Sequence, residues 1–303
     1  MNRLFHNKPK LKNYLHLHFL VFIAGFTAIL GELITIKAIP LVWYRMVIAS
    51  VLMFVYIKIA KVKLKITPKA ILRLSIAGII IALHWITFFG AIDKANISIA
   101  LAMFSTGAFF ASFIEPFIYK RTIIWYEIVF GAIVIIGVFI ITKSEIKYLT
   151  GILLGISSAF FSSLFAVLNG KFLKQHTATV ISFYEFLSGV FFVSLYILFF
   201  GEGFSMGFFS LSQSDFGYLF ILASICTAYA FIASVYVMKL ISPYTVVLTY
   251  NLEPIYGIIM AIVLFPETER MSSSFYYGAV IILATVLLNG LLKNSRLLKR
   301  KRS

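Results

Sequence analysis

Charge is scarce in this 303-residue chain: only 13% of its residues are Asp, Glu, Lys or Arg, while 61% are hydrophobic. A soluble domain carries about 25% charged residues, so this balance excludes one and points to an integral membrane protein. Cysteine is scarcer still. The single Cys226 rules out an intramolecular disulfide and any multi-cysteine metal centre. There are five histidines, and His6, His16 and His18 lie in or beside the N-terminal tail, so a histidine metal cage is not expected. Missing too are a P-loop, Gly-x-Ser-x-Gly, His-Glu-x-x-His and the dinucleotide glycine fingerprint. No catalytic residue, metal or cofactor is therefore expected, and an ATP-driven pump would need its P-loop on a partner.

What the chain does contain is apolar runs of membrane-spanning length. Ten can be marked: 14–36, 39–60, 69–92, 96–118, 123–142, 148–170, 178–200, 215–238, 243–265 and 275–292. A ~30 Å hydrocarbon core needs about 20 helical residues. Helices are the open-ended way to span it, because every backbone polar group must be paired internally. The runs are too long and too uniformly apolar for the alternation of a membrane barrel. The first run is too long for a signal-peptide core and lacks a small-residue cleavage site, so a retained first helix is expected. The longest non-spanning stretch, 201–214, is rich in Gly, Ser and Phe and reads as an interfacial or re-entrant loop.

The net charge of +16 raises a nucleic-acid reading until its distribution is followed. With the sides of the membrane labelled alternately, 21 Lys and Arg fall on the side of the termini and 5 on the other, with Arg45 inside a span. The positive-inside rule places both termini in the cytoplasm of a multi-pass inner (plasma) membrane protein. The excess charge then reads as topology and contact with the lipid bilayer, not nucleic-acid binding.

The stretch around residues 143–150 divides the ten runs into two sets of five, residues 1–146 and 147–303. Five is odd, so two related halves must cross in opposite directions, an all-α polytopic fold of two inverted five-helix repeats. A faint echo supports it: Gly131-Ala132-x3-Ile136 in run 5 and Gly278-Ala279-x3-Leu283 in run 10. Small residues at Gly151-x3-Gly155 suit close helix packing.

Polar groups inside the runs are the candidate chemistry. Tyr250-Asn251-Leu252-Glu253-Pro254 places a carboxyl, an amide and a helix breaker ~15 Å into run 9, about mid-membrane. Ionisable groups at that depth are costly and by default mark function, so substrate contact and proton handling are assigned to Glu253, with Asn251 and Tyr250 beside it. The bland alternative is a neutral carboxyl that fixes helix packing. Glu32 and Arg45 come out at similar depth in antiparallel runs 1 and 2, which suggests an ion pair acting as outer gate or static clamp. His84 and Trp85 in run 3 and Tyr229 in run 8 are taken as cavity wall, although a hydrogen-bonded histidine between helices fits His84 equally well. Glu185 in run 7, with Asn169 as its candidate partner, is harder to dismiss as surface charge.

Asn251-Leu252-Glu253-Pro254-Ile255-Tyr256-Gly257, then Phe265-Pro266-Glu267 and Phe275-Tyr276-Tyr277-Gly278-Ala279, resemble the pattern of the drug/metabolite transporter superfamily, in its EamA-like branch. The likeness extends over essentially the whole chain, with Glu267 matching the family's outer-loop Glu. In the first half Lys120-Arg121 stands where that Glu is expected. The resemblance implies a basket of runs 1–4 and 6–9 around a cavity, with runs 5 and 10 peripheral. It further implies a secondary transporter, commonly an exporter, of amino acids, metabolites or drugs by alternating access, some members using proton exchange. A small-molecule solute is the expected partner, in a monomer or homodimer. An intramembrane lipid-modifying enzyme or a non-transporting scaffold remain as alternatives.

Overall fold

The computed structural model describes residues 8–120, 122, 125–238, 249, 250 and 252–300. Of the residues singled out above, His6, Arg121 and Asn251 lie outside them. The helices are α1 (Lys8–Leu33), α2 (Ala38–Ile59), α3 (Pro68–Lys94), α4 (Ile97–Phe104), α5 (Gly107–Tyr119) and α6 (Trp125–Ser144). After a 3₁₀ turn at Ile146–Tyr148 come α7 (Leu149–Phe172), α8 (Ala178–Phe200), α9 (Met206–Phe209) and α10 (Gln213–Ala223). A π-type turn at Ser224–Tyr229 leads into α11 (Ala230–Met238), followed by α12 (Glu253–Leu264) and α13 (Ser273–Arg300). No strand occurs among the described residues.

Nine of the ten expected spans are helical stretches long and apolar enough to cross a membrane. Of the ninth run, the described residues include the apolar helix α12, which covers its second half from Glu253. Run 4 is also in two pieces, α4 and α5. No proline causes that break. The Ser105 and Thr106 hydroxyls instead donate to the Leu101 and Met103 carbonyls (2.9 and 2.7 Å), the local back-bonding that bends helices. In run 9 Pro254 stands in the first turn of α12, where its missing N–H costs no intrahelical bond.

The helix pairing carries a pseudo-two-fold. Number the spans and exchange 1–5 with 6–10. Then α3 on α7 maps onto the α10–α11 span on α1, and α3 on α8 maps onto α10 on α2. Likewise α4–α5 on α7 maps onto α12 on α1. Three contacts map onto themselves and so lie on the axis: α2 on α8, α4 on α12, and α6 on α13. Spans 5 and 10 lie back to back, with Gly137 against the Gly278 carbonyl and Gly278 against that of Gly137, each 3.0 Å or less from the Cβ the glycine lacks. The broken span 4 meets α12 on the axis, where the irregular backbone at Ser105 and Thr106 is covered by protein.

At the end opposite the termini, three carboxyl groups fasten connections together. Asp215 accepts from the Thr35 N–H (2.7 Å) and hydroxyl (2.8 Å). Glu269 accepts from the Ile97 and Ser98 N–H groups (2.9 and 2.8 Å) at the start of α4, and Glu145 accepts from the Ser272 N–H (3.1 Å). Glu269 and Glu145 satisfy donors at or just before a helix start that have no partner within the helix, and Asp215 ties down the α1–α2 connection. Glu267, the expected loop acid, is exposed, and the buried group is Glu269. The 201–214 stretch folds as α9 with flanking turns, tied to α2 by the Tyr44 hydroxyl donating to the Phe208 carbonyl (2.9 Å). Met206 stays exposed there, as suits an interfacial segment.

Candidate functional site

The site is built around Arg45, which α2 buries to 3% exposure among α3, the π-type turn and α12. Its Nε donates to the Thr227 hydroxyl at 2.8 Å. The π-type turn makes that possible: an extra residue per turn lets the Thr227 hydroxyl donate five residues back to the Leu222 carbonyl (2.8 Å) while accepting from Arg45. The guanidinium carbon stands 3.9 Å above the Trp85 ring and 5.6 Å from Phe89. Trp85 is held by Phe186 and Phe231, ring centroids 5.5 and 6.3 Å away. One guanidinium nitrogen, Nη1, is buried without a partner.

Glu253, half-buried in the first turn of α12, is the carboxyl whose field acts on Arg45. Arg45 and Glu253 attract one another electrostatically without a direct ion pair, and the Glu253 carboxyl makes no hydrogen bond among the described residues. The backbone at Glu253 is pressed on α1, because Gly25 and Gly257 let the two helices touch: a Cβ on Gly25 would sit 3.1 Å from the Glu253 carbonyl and 3.0 Å from the Gly257 nitrogen. Tyr250 shares a 2.6 Å hydroxyl–hydroxyl bond with Ser234 of α11.

Burying the guanidinium costs several kcal/mol. A desolvated cation–π contact returns ~2 kcal/mol and the Thr227 bond about 1 kcal/mol. The remainder falls to the Glu253 field and to whatever Nη1 can bind. Among the described residues the site is thus a buried cation with a free donor, on an aromatic floor and in the field of a carboxyl without a hydrogen bond.

The residues singled out from sequence divide accordingly. Glu253, Tyr250, Trp85 and Arg45 belong to one region. The expected Glu32–Arg45 pair does not form: Glu32 is exposed, its electrostatic neighbours are Glu269 and Asp93, and Arg45 points to Thr227 and Trp85. Equal depth did not mean facing sides. His84 is buried beside α7, its Nδ1 2.9 Å from the Ser158 hydroxyl and 3.1 Å from the Ser158 carbonyl, and is flanked by Phe104 and Phe165. It joins α3 to α7 instead of lining a cavity. Tyr229 is 42% exposed and bonds His16 of α1 at 2.8 Å, so it too leaves the wall. Sequence reasoning missed Ser234, and Thr227 as the partner of Arg45. No pattern marks a π-type turn in advance. Asp215 was readable, since Ser212-Gln-Ser-Asp215 has capping-box spacing and the Ser212 hydroxyl does bond its N–H and carboxylate. No group of three His, Cys, Asp or Glu able to hold a metal occurs among the described residues.

A model of the EamA-like transporter family matches residues 12–143 and 149–291, one match for each half. Among solved structures, one described only as a crystal structure of a protein aligns with a TM-score of 0.63 at 14% identity, covering 93% of this chain and 98% of its own. That likeness is of fold alone. No curated protein matches.

Proposed function

Since the chain belongs to the EamA-like transporter family, a multi-pass membrane family built from two repeats, we propose that it exports a small organic solute through the Arg45–Glu253 region by alternating access. The observation that carries this is the unsatisfied pair. Among the described residues Arg45 Nη1 has no acceptor and the Glu253 carboxyl no hydrogen-bond donor, yet each acts electrostatically on the other where spans from both repeats converge. A solute with an anionic and a cationic end, such as an amino acid, would complete both, with Trp85 against its apolar part. The converging elements, α2 and α3 on one side and α10 to α12 on the other, belong to different repeats. Rocking one repeat on the other would assemble and disassemble the site.

The excess of Lys and Arg at the end of the termini supports a cytoplasmic location for that end, and the three carboxylate fastenings lie at the opposite, external end. An inner or plasma membrane suits this charge asymmetry. Exchange of radiolabelled L-amino acids by the purified protein in proteoliposomes tests the reading. Wild type should exchange at least one of them, and Arg45→Gln should lower that exchange by more than ~10-fold, the loss of one charge-assisted contact. Equal exchange by wild type and Arg45→Gln would remove Arg45 from the site. Absence of any exchange by wild type would remove amino acids as the cargo.

A further inference from the structure

Arg45 lies seven residues after Ala38, the first residue of α2, and Glu185 lies seven after Ala178, the first of α8. Spans 2 and 7 are exchanged by the pseudo-two-fold, so the two residues are structural counterparts of opposite charge. Arg45 lies toward the external end of its span and Glu185 toward the cytoplasmic end. Each stands where its span crosses the other repeat, Arg45 on Thr227 and Glu185 on α3. At Gly78 of α3 the contact is backbone to backbone, with a Cβ there falling within 2.2 Å of the Glu185 carbonyl oxygen.

Glu185 is fully buried at 0% exposure. Its Oε2 accepts from Asn169 Nδ2 at 3.2 Å, while Oε1 and the Asn169 Oδ1 are buried and have no donor. The described groups around it are neutral. From α3 come Gly78 and, one turn along, Ser75 on Ser188 (3.0 Å); from α7 comes Asn169. Met46 of α2 packs at Gly189, Phe231 of α11 at Phe186, and the Leu64 carbonyl accepts from the Tyr184 hydroxyl. No charged side chain among the described residues acts on it electrostatically. A buried carboxylate held by one neutral donor is a costly arrangement. Among the described residues these two acceptor oxygens have no donor, and a proton on Oε1 is the smallest group that supplies one inside a packed helix crossing.

We propose that Glu185, with Asn169, is a proton-binding site of the transport cycle, taking up a proton at Oε1 when the repeats close at the cytoplasmic end and releasing it when they part. The site is separate from Arg45 and Glu253. Because α3 and α8 come from different repeats, any rocking that separates Gly78 from Glu185 brings water to the carboxyl. Proton occupancy is thereby linked to the conformation that opens the solute site. This rests on the transporter reading above.

The test is amino-acid exchange by the full-length protein in proteoliposomes, at equal pH on both sides and across a pH step. Glu185→Gln should keep equal-pH exchange within about twofold of wild type and lose the response to the pH step. Retention of that response, or loss of both activities together in a variant that melts as wild type does, would overturn the site. If Glu185→Gln does not fold, Asn169→Ala decides: the midpoint of the exchange–pH profile should move by at least about half a pH unit, whereas a purely structural role would change the rate alone. If wild type exchanges none of the amino acids, the cargo reading fails but the site remains testable by carbodiimide modification. That reagent attacks protonated carboxyls, so an adduct at Glu185 formed at acid and not at alkaline pH would uphold the site. Modification independent of pH, or none, would overturn it.

Discussion

The α3–α8 crossing makes a sharp demand on residue 78. A methyl group there would meet the Glu185 carbonyl oxygen at 2.2 Å and the Glu185 carbonyl carbon at 2.9 Å, both backbone atoms that cannot rotate away. Ordinary contact begins near 3.4 Å, so α8 would have to retreat by about 1.2 Å. Overpacking of that kind costs roughly 1–3 kcal/mol. Replacing glycine by alanine in a helix interior returns up to about 1 kcal/mol. Gly90, three turns further along the same helix, offers the control: a Cβ there meets only the Leu154 side chain, at 3.4 Å. Gly90→Ala should therefore gain the propensity without the clash. Melting in detergent should place Gly78→Ala several degrees below wild type and Gly90→Ala up to ~4 °C above it, at roughly 2–4 °C per kcal/mol. Should Gly78→Ala melt at or above Gly90→Ala, the backbone contact between the repeats at Glu185 would be refuted.

Other expectations concern the fastenings, the histidine and the topology. Glu269→Gln weakens two hydrogen bonds at the start of α4 and should lower stability by about 1–2 kcal/mol, read as a fall in melting temperature, whereas Glu267→Gln at its exposed position should leave it unchanged. Asp215→Asn removes the charge that holds Thr35 and should admit an impermeant maleimide to a cysteine placed at Thr35 faster than in the parent; equal rates would show that the fastening does not hold that turn. His84→Gln should change stability but keep the pH profile of exchange, because His84 bonds Ser158 and not the solute region; a shifted profile would restore it to the site. In a Cys226→Ser background, cysteine at Lys63 should be labelled only from the cytoplasmic side and cysteine at Glu202 only from outside. The reverse pattern would invert the assigned topology.

The spans could be found from sequence because hydropathy integrates over about 20 residues, and the two-repeat plan followed from their number and the charge split. The rotation of each helix about its axis could not be found the same way. In a soluble protein an apolar stripe marks the inner face, but α2 is apolar on every side: Leu41, Val42, Met46 and Met53 are buried while Val51, Phe54 and Val55 are exposed, and nothing in residue type separates the two sets. Glu32 and Arg45 were therefore matched by depth, the one coordinate the sequence supplies, and rotation then separated them. Tyr229 failed for the same reason, since a tyrosine tolerates a lipid-facing position as well as a cavity. Arg45 and Glu253 stood out because lipid all but forbids a charge at that depth, although depth alone did not bring the two into one region. The same reasoning applies to Glu185, and more strongly. Among the described residues only Asn169 offers its carboxyl a donor, so a purely structural clamp would leave Oε1 buried without one.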